Sequence, residues 1–156
     1  MDINIIVAID KNLGIGFKNK LLKSIPEDLK RFKRLTTGSV VIMGYNTYLS
    51  LPKKPLPNRI NIVLYDKKIE LDGCIVANSK EEALLIAGSY NIPIFIIGGG
   101  SIYKQFLNEA NKIFLTLIDG DYEADTVFPN FYNDFKEINR ESHIEQGYIF
   151  IDYERN

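Results

Sequence analysis

The stretch IFIIGGGSIYKQF, residues 94–106, runs from a β-branched apolar segment through three glycines into a segment of helical character. A glycine run lets the backbone turn sharply, and the N-terminus of a following helix attracts anions such as phosphate. The stretch has neither the GxGxxG fingerprint of dinucleotide-binding domains nor the GxxxxGK[ST] pattern of P-loops. It therefore predicts a strand–turn–helix unit, and it leaves open whether the glycines form only a tight turn or also a phosphate cradle.

Five further apolar runs of the same β-branched character lie along the chain, and helical segments separate several of them. Most of these runs lack polar alternation, which is typical of strands covered on both faces in a parallel sheet. The tail around Gly147 predicts an antiparallel hairpin at the sheet edge. We therefore predict a single α/β domain over residues 1–156, with an about eight-stranded, mostly parallel twisted sheet, a C-terminal antiparallel strand and four flanking helices. The predicted helices begin near four positions: Pro26, Gly44, Ser79 (which forms a capping box with Glu82) and Ser101.

The composition excludes several classes of protein. The chain has 156 residues, of which 46% are hydrophobic and 25% charged, and these values are ordinary for a soluble globular protein. The single cysteine, Cys74, excludes an internal disulfide and favours a reducing compartment. No apolar run is long enough to cross a bilayer, and the N-terminus lacks the features of a signal peptide. We therefore expect a cytoplasmic protein without a membrane partner.

The net charge of −1 conceals an asymmetry between the two halves of the chain. Residues 1–68 carry 13 basic and 5 acidic side chains, whereas residues 69–156 carry 6 basic and 15 acidic ones. This asymmetry fits either solvated surface charge or an anion-binding surface in the first half. The excess is modest and no nucleic-acid-binding motif accompanies it, so we expect no nucleic-acid partner.

Two neighbouring acids, Glu27 and Asp28, open the helix predicted from Pro26. On a helical wheel Asp28 falls within the apolar arc, whereas Glu27 falls among basic residues and has an i,i+4 partner in Arg31. A carboxylate on a buried face needs a partner. Asp28 is therefore either a structural residue, paired with Arg31 or with helix N-terminal amides, or the carboxylate of an apolar ligand pocket. In the second case it can bind a cationic or amidine-like group, or assist a proton transfer.

Two single residues of reactive type carry no functional prediction. His143 lies in the polar tail, where we expect it to be solvent-exposed and uninvolved, and Cys74 is expected to be a small core residue. No cluster of His, Cys, Asp or Glu has metal-ligand spacing, so no metal site is predicted.

A set of residues and motifs occurs in a fixed order over nearly the whole chain: Ala8, Ile15-Gly16, Asn19, Leu21, Pro26-x-Asp28 with Leu29 and Phe32, VIMGYNTYLSLP (41–52), PLPNR (55–59), IIGGGSIYKQFL (96–107), LTLID (115–119) and ADTVFP (124–129). Taken together, they resemble the motifs of dihydrofolate reductases. The resemblance implies an NADPH-dependent, monomeric enzyme that reduces 7,8-dihydrofolate to 5,6,7,8-tetrahydrofolate, by hydride transfer to C6 and protonation of N5, and that binds antifolates.

The resemblance also assigns roles to individual residues. Asp28 would accept hydrogen bonds from the pterin ring, Thr116 would bond to Asp28, and Arg59 would clamp the carboxylate of the substrate's glutamate. Tyr103 joins Asp28 and Thr116 in the catalytic set. The other substrate-binding residues are Val7, Ala8, Leu21, Leu29, Phe32, Leu51, Leu56 and Ile97. The cofactor-binding residues are Ala8, Ile15, Gly16, Asn19, Gly44, Tyr45, Asn46, Thr47, Leu64, Tyr65, Asp66, Gly98, Gly99, Gly100, Ser101, Ile102 and Tyr103. The Gly98–Gly99 peptide bond is expected to be cis.

The sequence departs from the family pattern in front of the acid-bearing helix. Lys23 stands where the family has the tryptophan of a Leu-Pro-Trp motif, and the chain contains no tryptophan. Lys23 either binds a water or pairs with Asp28, or it extends into solvent and leaves the pocket wetter.

The predicted cofactor-binding residues also depart from the family pattern. Tyr45 and Ser101 stand where arginines are common in the family, and the arginine at the Tyr45 position contacts the 2′-phosphate. Tyr65-Asp66 replaces a hydroxyl-plus-basic pair, which leaves Lys67 and Lys68 as substitutes. The preference for NADPH over NADH is therefore open.

Two other functions stay open at this point. One is a related reductase on the same scaffold, such as the pyrimidine reductase of riboflavin synthesis, against which Pro26-x-Asp28, Thr116 and Arg59 argue. The other is a non-catalytic folate- or nucleotide-binding protein, which the missing tryptophan and arginines suggest.

Overall fold

The computed structural model describes residues 1–17, 20–21 and 23–156. The strands in these ranges are β1 (Ile3–Ile9), β2 (Gly14–Phe17), β3 (Lys20–Leu21), β4 (Val40–Gly44), β5 (Ile60–Leu64), β6 (Ile75–Ala77), β7 (Ile94–Gly98), β8 (Lys112–Ile118), β9 (Thr126–Val127), β10 (Phe135–His143) and β11 (Tyr148–Arg155). The helices are α1 (Pro26–Thr36), α2 (Tyr45–Ser50), α3 (Lys80–Gly88) and α4 (Gly100–Phe106), and short 3-10 turns follow α4 and β10.

Eight of these strands form one sheet in the order β10-β11-β8-β1-β7-β4-β5-β6. The pairings from β8 to β6 are parallel, whereas β11 runs antiparallel to both β8 and β10. This confirms the predicted fold class, including the antiparallel C-terminal strand and the four helices of the described residues. The hairpin turns at Gly147, whose φ of 92° lies in the left-handed region that glycine adopts without strain.

The sheet is covered on both faces, as its continuous apolar strands predict. Alternate residues of β1, β4 and β7 pack into two separate clusters, because successive side chains of a strand point to opposite faces. One cluster includes side chains of α3 and α4, and the other includes side chains of α1 and α2. The α1 face is the one that carries Asp28.

A second, smaller sheet joins β3, β2 and β9 and was not predicted. Its strands are two to four residues long, too short to show a period in the sequence. The Gly14–Val127 and Gly16–Thr126 pairs connect the loop after β1 to the segment before residue 128. This sheet therefore positions the glycine-containing segment 14–17.

Helix α1 has the expected start and end. Pro26 occupies its first turn together with Glu27 and Asp28, and basic residues occupy the last turn, so the charges complement the helix dipole. The side chain of Ser79 likewise accepts a hydrogen bond from the amide of Glu82 at the start of α3, as predicted.

The helical wheel was wrong at two positions of α1. Arg31 is buried although the wheel assigns it to the polar face, and Leu29 is 55% exposed although the wheel assigns it to the apolar arc. The predicted Glu27–Arg31 pair is also wrong, because Glu27 pairs with Lys30 at 3.3 Å and Arg31 pairs with Asp152 at 2.5 Å. Arg31 has a buried acceptor on another element, and a wheel contains no information about it.

The two residues without a functional prediction are partly buried. His143 ends β10, and its ring stacks on Tyr148 with 5.0 Å between centroids, so the expected solvent exposure was wrong. Cys74 precedes β6 and packs at the edge of the α1–α2 cluster. None of the helices in the described residues has the length and apolarity needed to span a membrane.

Candidate active site

Asp28 and Thr116 meet between α1 and the sheet. Asp28 lies in the first turn of α1 and is partly buried, and Thr116 is a buried residue of β8 opposite Ala8 of β1. The Thr116 hydroxyl donates a hydrogen bond of 2.5 Å to Oδ1 of Asp28. This hydrogen bond accounts for a polar residue in an apolar strand, because the Thr116 hydroxyl fixes the orientation of the Asp28 carboxylate.

The surroundings of Asp28 favour its neutral form. Burial raises the pKa of the Asp28 carboxyl, while the Thr116 hydrogen bond and the positive charge of Arg31 act in the opposite direction. The ionised form of Asp28 is therefore incompletely stabilised by the protein alone. A ligand that donates hydrogen bonds or carries positive charge would complete its coordination.

Arg59 approaches α1 from the loop before β5. Its Nη1 donates to the hydroxyl of Thr36 at 2.9 Å, its Nε donates to the carbonyl of Pro57 at 2.9 Å, and its guanidinium lies 6.0 Å from the ring centroid of Phe32. Burial lowers the pKa of Arg59 from its ordinary value. These contacts hold the guanidinium in one orientation, which suits planar recognition of a carboxylate.

Apolar side chains flank Asp28 and Arg59 on the α1 face of the sheet. Phe32, Leu51, Leu56 and Ile97 are partly buried against the α1–α2 cluster, and Leu29 leaves more than half of its surface exposed. Val7 packs into the cluster on the opposite face. An exposed leucine beside a partly buried carboxylate is the arrangement expected at the rim of an apolar ligand groove.

The glycines at positions 98 to 100 form the turn from the end of β7 into α4. The Gly98–Gly99 peptide bond is cis, as expected, and Gly98 has a φ of 119°. A Cβ on Gly98 would lie 3.2 Å from the hydroxyl of Tyr103, and one on Gly100 would clash with Thr126. The turn is therefore closely packed against α4 and β9, and it leaves no room for a side chain at Gly98 or Gly100.

Tyr103 is buried and its hydroxyl donates a 2.8 Å hydrogen bond to the carbonyl of Ile6. Burial raises the pKa of Tyr103, and the negative charge of Asp28 raises it further. Tyr103 is thus a neutral group that connects α4 to β1 beneath the glycine turn.

Helices α2 and α4 both begin at the carboxyl edge of adjacent parallel strands, after Gly44 and Gly99. Neither helix has a side-chain cap at its N-terminus. A Cβ on Gly44 would come within 2.9 Å of Ile102, and one on Gly99 would lie 3.5 Å from the hydroxyl of Thr47, so the two helix starts lie against each other. Asn46 lies in the same first turn of α2, and Ser101, in the first turn of α4, is exposed.

Aromatic rings cover the region where the sequence lacks the expected arginines. Tyr45 stacks on Tyr65 with 4.3 Å between ring centroids and lies 6.2 Å from the ring of Tyr48. Leu64 ends β5, and Asn78 donates to the carbonyl oxygens of Tyr65 and Lys67. The side chains of Asp66, Lys67 and Lys68 are exposed.

Asp10 is a buried acid that sequence reasoning missed. Its Oδ1 accepts hydrogen bonds from the amides of Asn12 and Gly14, each at 2.9 Å, and its Oδ2 accepts from the amide of Tyr122 at 3.2 Å. Asp10 therefore joins the turn that precedes Ile15 to the segment after β8. An acid that directly follows a buried strand and is the first residue of a turn was the available signal.

The segment between β2 and α1 contains three of the predicted features. Asn19 lies outside the described residues, and Leu21 belongs to β3. Lys23 is exposed, and its Nζ would lie 3.1 Å from a Cβ placed on Gly147. Lys23 therefore extends over the β10–β11 turn, which agrees with the solvent-directed alternative.

A cavity of about 570 Å³ lies elsewhere. It is an open depression lined by the loop 69–74 and Val76, and it contains none of the predicted site residues. The described residues also contain no group of three His, Cys, Asp or Glu side chains arranged to hold a metal ion. The best candidate site is therefore the α1 face of the sheet, where Thr116 holds Asp28 and Thr36 holds Arg59.

Comparison with known proteins identifies the family. A sequence profile described as dihydrofolate reductase matches residues 2–155. A dihydrofolate reductase of Buchnera aphidicola subsp. Acyrthosiphon pisum is 49% identical over 131 residues, which cover 84% of this chain and 81% of the relative. The dihydrofolate reductase of Haemophilus influenzae is 40% identical over 129 residues, covering 83% and 79%. That of Staphylococcus aureus strain Mu50 is 37% identical over 130 residues, also covering 83% and 79%. This chain therefore belongs to the dihydrofolate reductase family.

Proposed function

We propose that this chain reduces 7,8-dihydrofolate to 5,6,7,8-tetrahydrofolate, with NADPH as its cofactor. The observation that carries the proposal is the Asp28 carboxylate, partly buried between α1 and β8 and oriented by Thr116 in a chain of this family. The other proposed site residues are those assigned by the resemblance.

Asp28 would bind the edge of the pterin ring. The N3 and 2-amino groups form an adjacent pair of donors, which a carboxylate accepts with both oxygens. Oδ1 of Asp28 already accepts from Thr116, so the threonine would hold the carboxylate in the plane of the ring. The negative charge would favour the N5-protonated form of the substrate, although the carboxylate contacts the far edge of the ring.

Arg59 would bind the other end of the substrate. Its Nε and Nη1 are engaged by Pro57 and Thr36, which leaves Nη2 and the outer face of the guanidinium for the glutamate carboxylate. Phe32, Leu51 and Leu56 pack against the α1–α2 cluster, and they would supply apolar surface for the aminobenzoyl group.

The family uses a nucleotide cofactor, and the two adjacent glycine-bordered helix starts fit a diphosphate. Main-chain amides there are free of side-chain caps, and the glycines keep the approach open. Gly44 to Thr47 and Gly98 to Ser101 would hold the diphosphate, and Ala8, Ile15 and Ile97 would contact the nicotinamide. Bound reduced nicotinamide supplies the hydride for C6. Tyr103 would act by positioning, because its hydroxyl is committed to the Ile6 carbonyl.

The choice of NADPH over NADH rests on two basic side chains that follow Tyr65 in the sequence. Lys67 and Lys68 are exposed cations close to the Tyr45–Tyr65 stack, and they are the candidates for the 2′-phosphate. The single cysteine supports a reducing, cytoplasmic setting, and a monomeric state stays a prediction.

The test is consumption of reduced nicotinamide, followed by absorbance, with dihydrofolate and with each of NADPH and NADH. Turnover that requires dihydrofolate supports the proposal. Dihydrofolate binding without turnover would support a non-catalytic folate-binding protein, and turnover with an aminopyrimidine riboflavin precursor instead of dihydrofolate would support the related pyrimidine reductase.

A further inference from the structure

A buried ion pair lies beside the candidate carboxylate. Nη2 of Arg31 donates to Oδ1 of Asp152 at 2.5 Å, with side-chain exposures of 8% and 19%. The Arg31 guanidinium lies 4.4 Å from the ring centroid of Phe150, and Nη1 is 3.5 Å from the carbonyl of Leu115. Arg31 is therefore enclosed by α1, β8 and β11, with its charge directed towards β11.

Arg31 has a second carboxylate within reach along its own helix. Residues three positions apart lie on neighbouring parts of the helix surface, so Arg31 and Asp28 are potential ion-pair partners. An Asp28 paired with Arg31 would offer fewer acceptor sites to a ligand, because the guanidinium would occupy the oxygen that Thr116 leaves open. In the structure Arg31 instead pairs with Oδ1 of Asp152. Oδ2 of Asp152 accepts a second hydrogen bond, from Nδ2 of Asn139 at 3.4 Å.

We propose that Asp152 is a positioning residue that holds Arg31 away from Asp28, and so keeps the Asp28 carboxylate available to the ligand. The inference rests on the proposed function, since Asp28 is taken there as the ligand-binding carboxylate. In this role Asp152 of β11 affects ligand binding although it does not contact the ligand. It also explains why a costly buried ion pair occurs at this place.

The other ionisable groups around Asp28 do not provide the same competition. Glu27, on the same helix, is an exposed acid that pairs with Lys30, and Lys23 extends over the hairpin turn. Tyr103 on α4 and Tyr148 on β11 both have a pKa raised above the ordinary tyrosine value by burial, with Asp28 among the further causes. They are neutral in neutral solution, so among the side chains that the structure describes Arg31 is the cation next to Asp28.

The test uses three variants of the full chain: Asp152→Asn, Arg31→Met and the double variant. Two quantities are measured for each. One is the pKa of the Asp28 carboxyl in the ligand-free protein, from a carbon NMR titration assigned with Asp28→Asn. The other is the Kd of dihydrofolate, from calorimetry. Glu109→Gln is the matched control, because Glu109 is the acid of another partly buried ion pair, formed with Lys80 of α3 at 2.9 Å.

In Asp152→Asn we expect Arg31 to turn to Asp28, which lowers the Asp28 pKa and weakens dihydrofolate binding on the order of tenfold. Removing Arg31 as well should raise the Asp28 pKa and restore the affinity to within about threefold of the unmodified chain. The Glu109→Gln control should change neither quantity. A double variant that binds as weakly as Asp152→Asn would overturn the proposal, because a purely structural ion pair gives no such rescue.

Arg31→Met alone tests the same idea if Asp152→Asn does not fold. Without the competing cation, the Asp28 pKa should rise and the affinity for dihydrofolate should stay within about threefold. A loss of tenfold or more would mean that Arg31 supports the ligand directly, and it would exclude the positioning role. Because the Asp28 pKa is measured without ligand, a chain that does not reduce dihydrofolate would disprove the proposed function and still report on Asp152.

Discussion

The hydroxyl of Thr116 on β8 and the carboxylate of Asp28 on α1 share a hydrogen bond of 2.5 Å across 88 positions of sequence. Since a hydroxyl that donates to a carboxylate stabilises the ionised form, this contact and the burial of Asp28 act on its pKa in opposite directions. The protonation state of Asp28 therefore depends on the balance between burial and the Thr116 hydrogen bond.

Replacing Thr116 by valine should shift that balance. Thr116→Val keeps the shape of the side chain and removes the donor, so the pKa of Asp28 should rise further and the KM for dihydrofolate should increase on the order of tenfold. Thr116→Ser, which keeps the hydroxyl, is the control and should stay close to the unmodified enzyme. Steady-state kinetics over a pH series measure both effects, and equal KM values for the two variants would contradict the assignment.

Asp28→Asn tests the carboxylate itself. The variant should keep the fold, because the asparagine oxygen can still accept from Thr116, and it should lose about 100-fold or more in turnover, the scale of acid–base assistance. Circular dichroism checks the fold and steady-state kinetics with dihydrofolate check the activity. Turnover equal to that of the unmodified chain would remove Asp28 from the mechanism.

The same substitution should raise stability at neutral pH. The pKa of Asp28 is raised in the folded protein, so the carboxyl favours folding below its unfolded pKa, and this contribution is lost as the pH rises through the folded pKa. Asparagine does not ionise, so Asp28→Asn should be more resistant to urea than the unmodified chain at neutral pH. The difference should vanish below the ordinary pKa of an aspartate. An unmodified chain that is the more stable one at neutral pH would show that the ionised carboxylate is well stabilised.

Asp10→Asn should loosen one side of the loop before β2. Asparagine retains an acceptor for Asn12 and Gly14 but presents an amide group to the Tyr122 amide, so one buried donor loses its partner at a cost of about 1–3 kcal/mol. Urea unfolding measures the loss of stability, and hydrogen exchange at the Tyr122 amide locates it. Unchanged protection of that amide would mean that other contacts hold the segment.

Cofactor preference can be tested at Tyr45. Tyr45→Arg should raise the ratio of kcat/KM for NADPH to that for NADH, because a guanidinium can bind the 2′-phosphate and a tyrosine ring cannot pair with its charge. Tyr45→Phe is the control, since it keeps the stacking on Tyr65 and adds no charge. A ratio near one in the unmodified chain would refute NADPH as the preferred cofactor.

The sequence was sufficient where local pattern and tertiary structure agree. β1, β4 and β7 are continuous apolar runs because they occupy the middle of a sheet covered on both faces, and these strands were predicted correctly. The cis bond after Gly98 and the pairing of Asp28 with Thr116 followed from the family resemblance rather than from periodicity.

The sequence was insufficient where a residue's surroundings come from distant segments. Arginine is typical of surface positions, and Arg31 is buried only because Asp152 and Phe150 of β11 contact it. Asp10 was missed for the same reason, since one of its donors is the amide of Tyr122, 112 positions away. The strands of the small sheet are too short for any pattern to indicate them.

The ion pair between Arg31 and Asp152 spans 121 positions, and it also affects how the chain folds during its synthesis on the ribosome. Helix α1 is synthesised before β11 and leaves the exit tunnel well ahead of it. Until β11 is available the guanidinium lacks Asp152, and the carboxylate of Asp28 on the same helix is its alternative partner. We therefore expect nascent chains that lack β11 to hold Arg31 on Asp28, and to gain affinity for dihydrofolate only after β11 has been added.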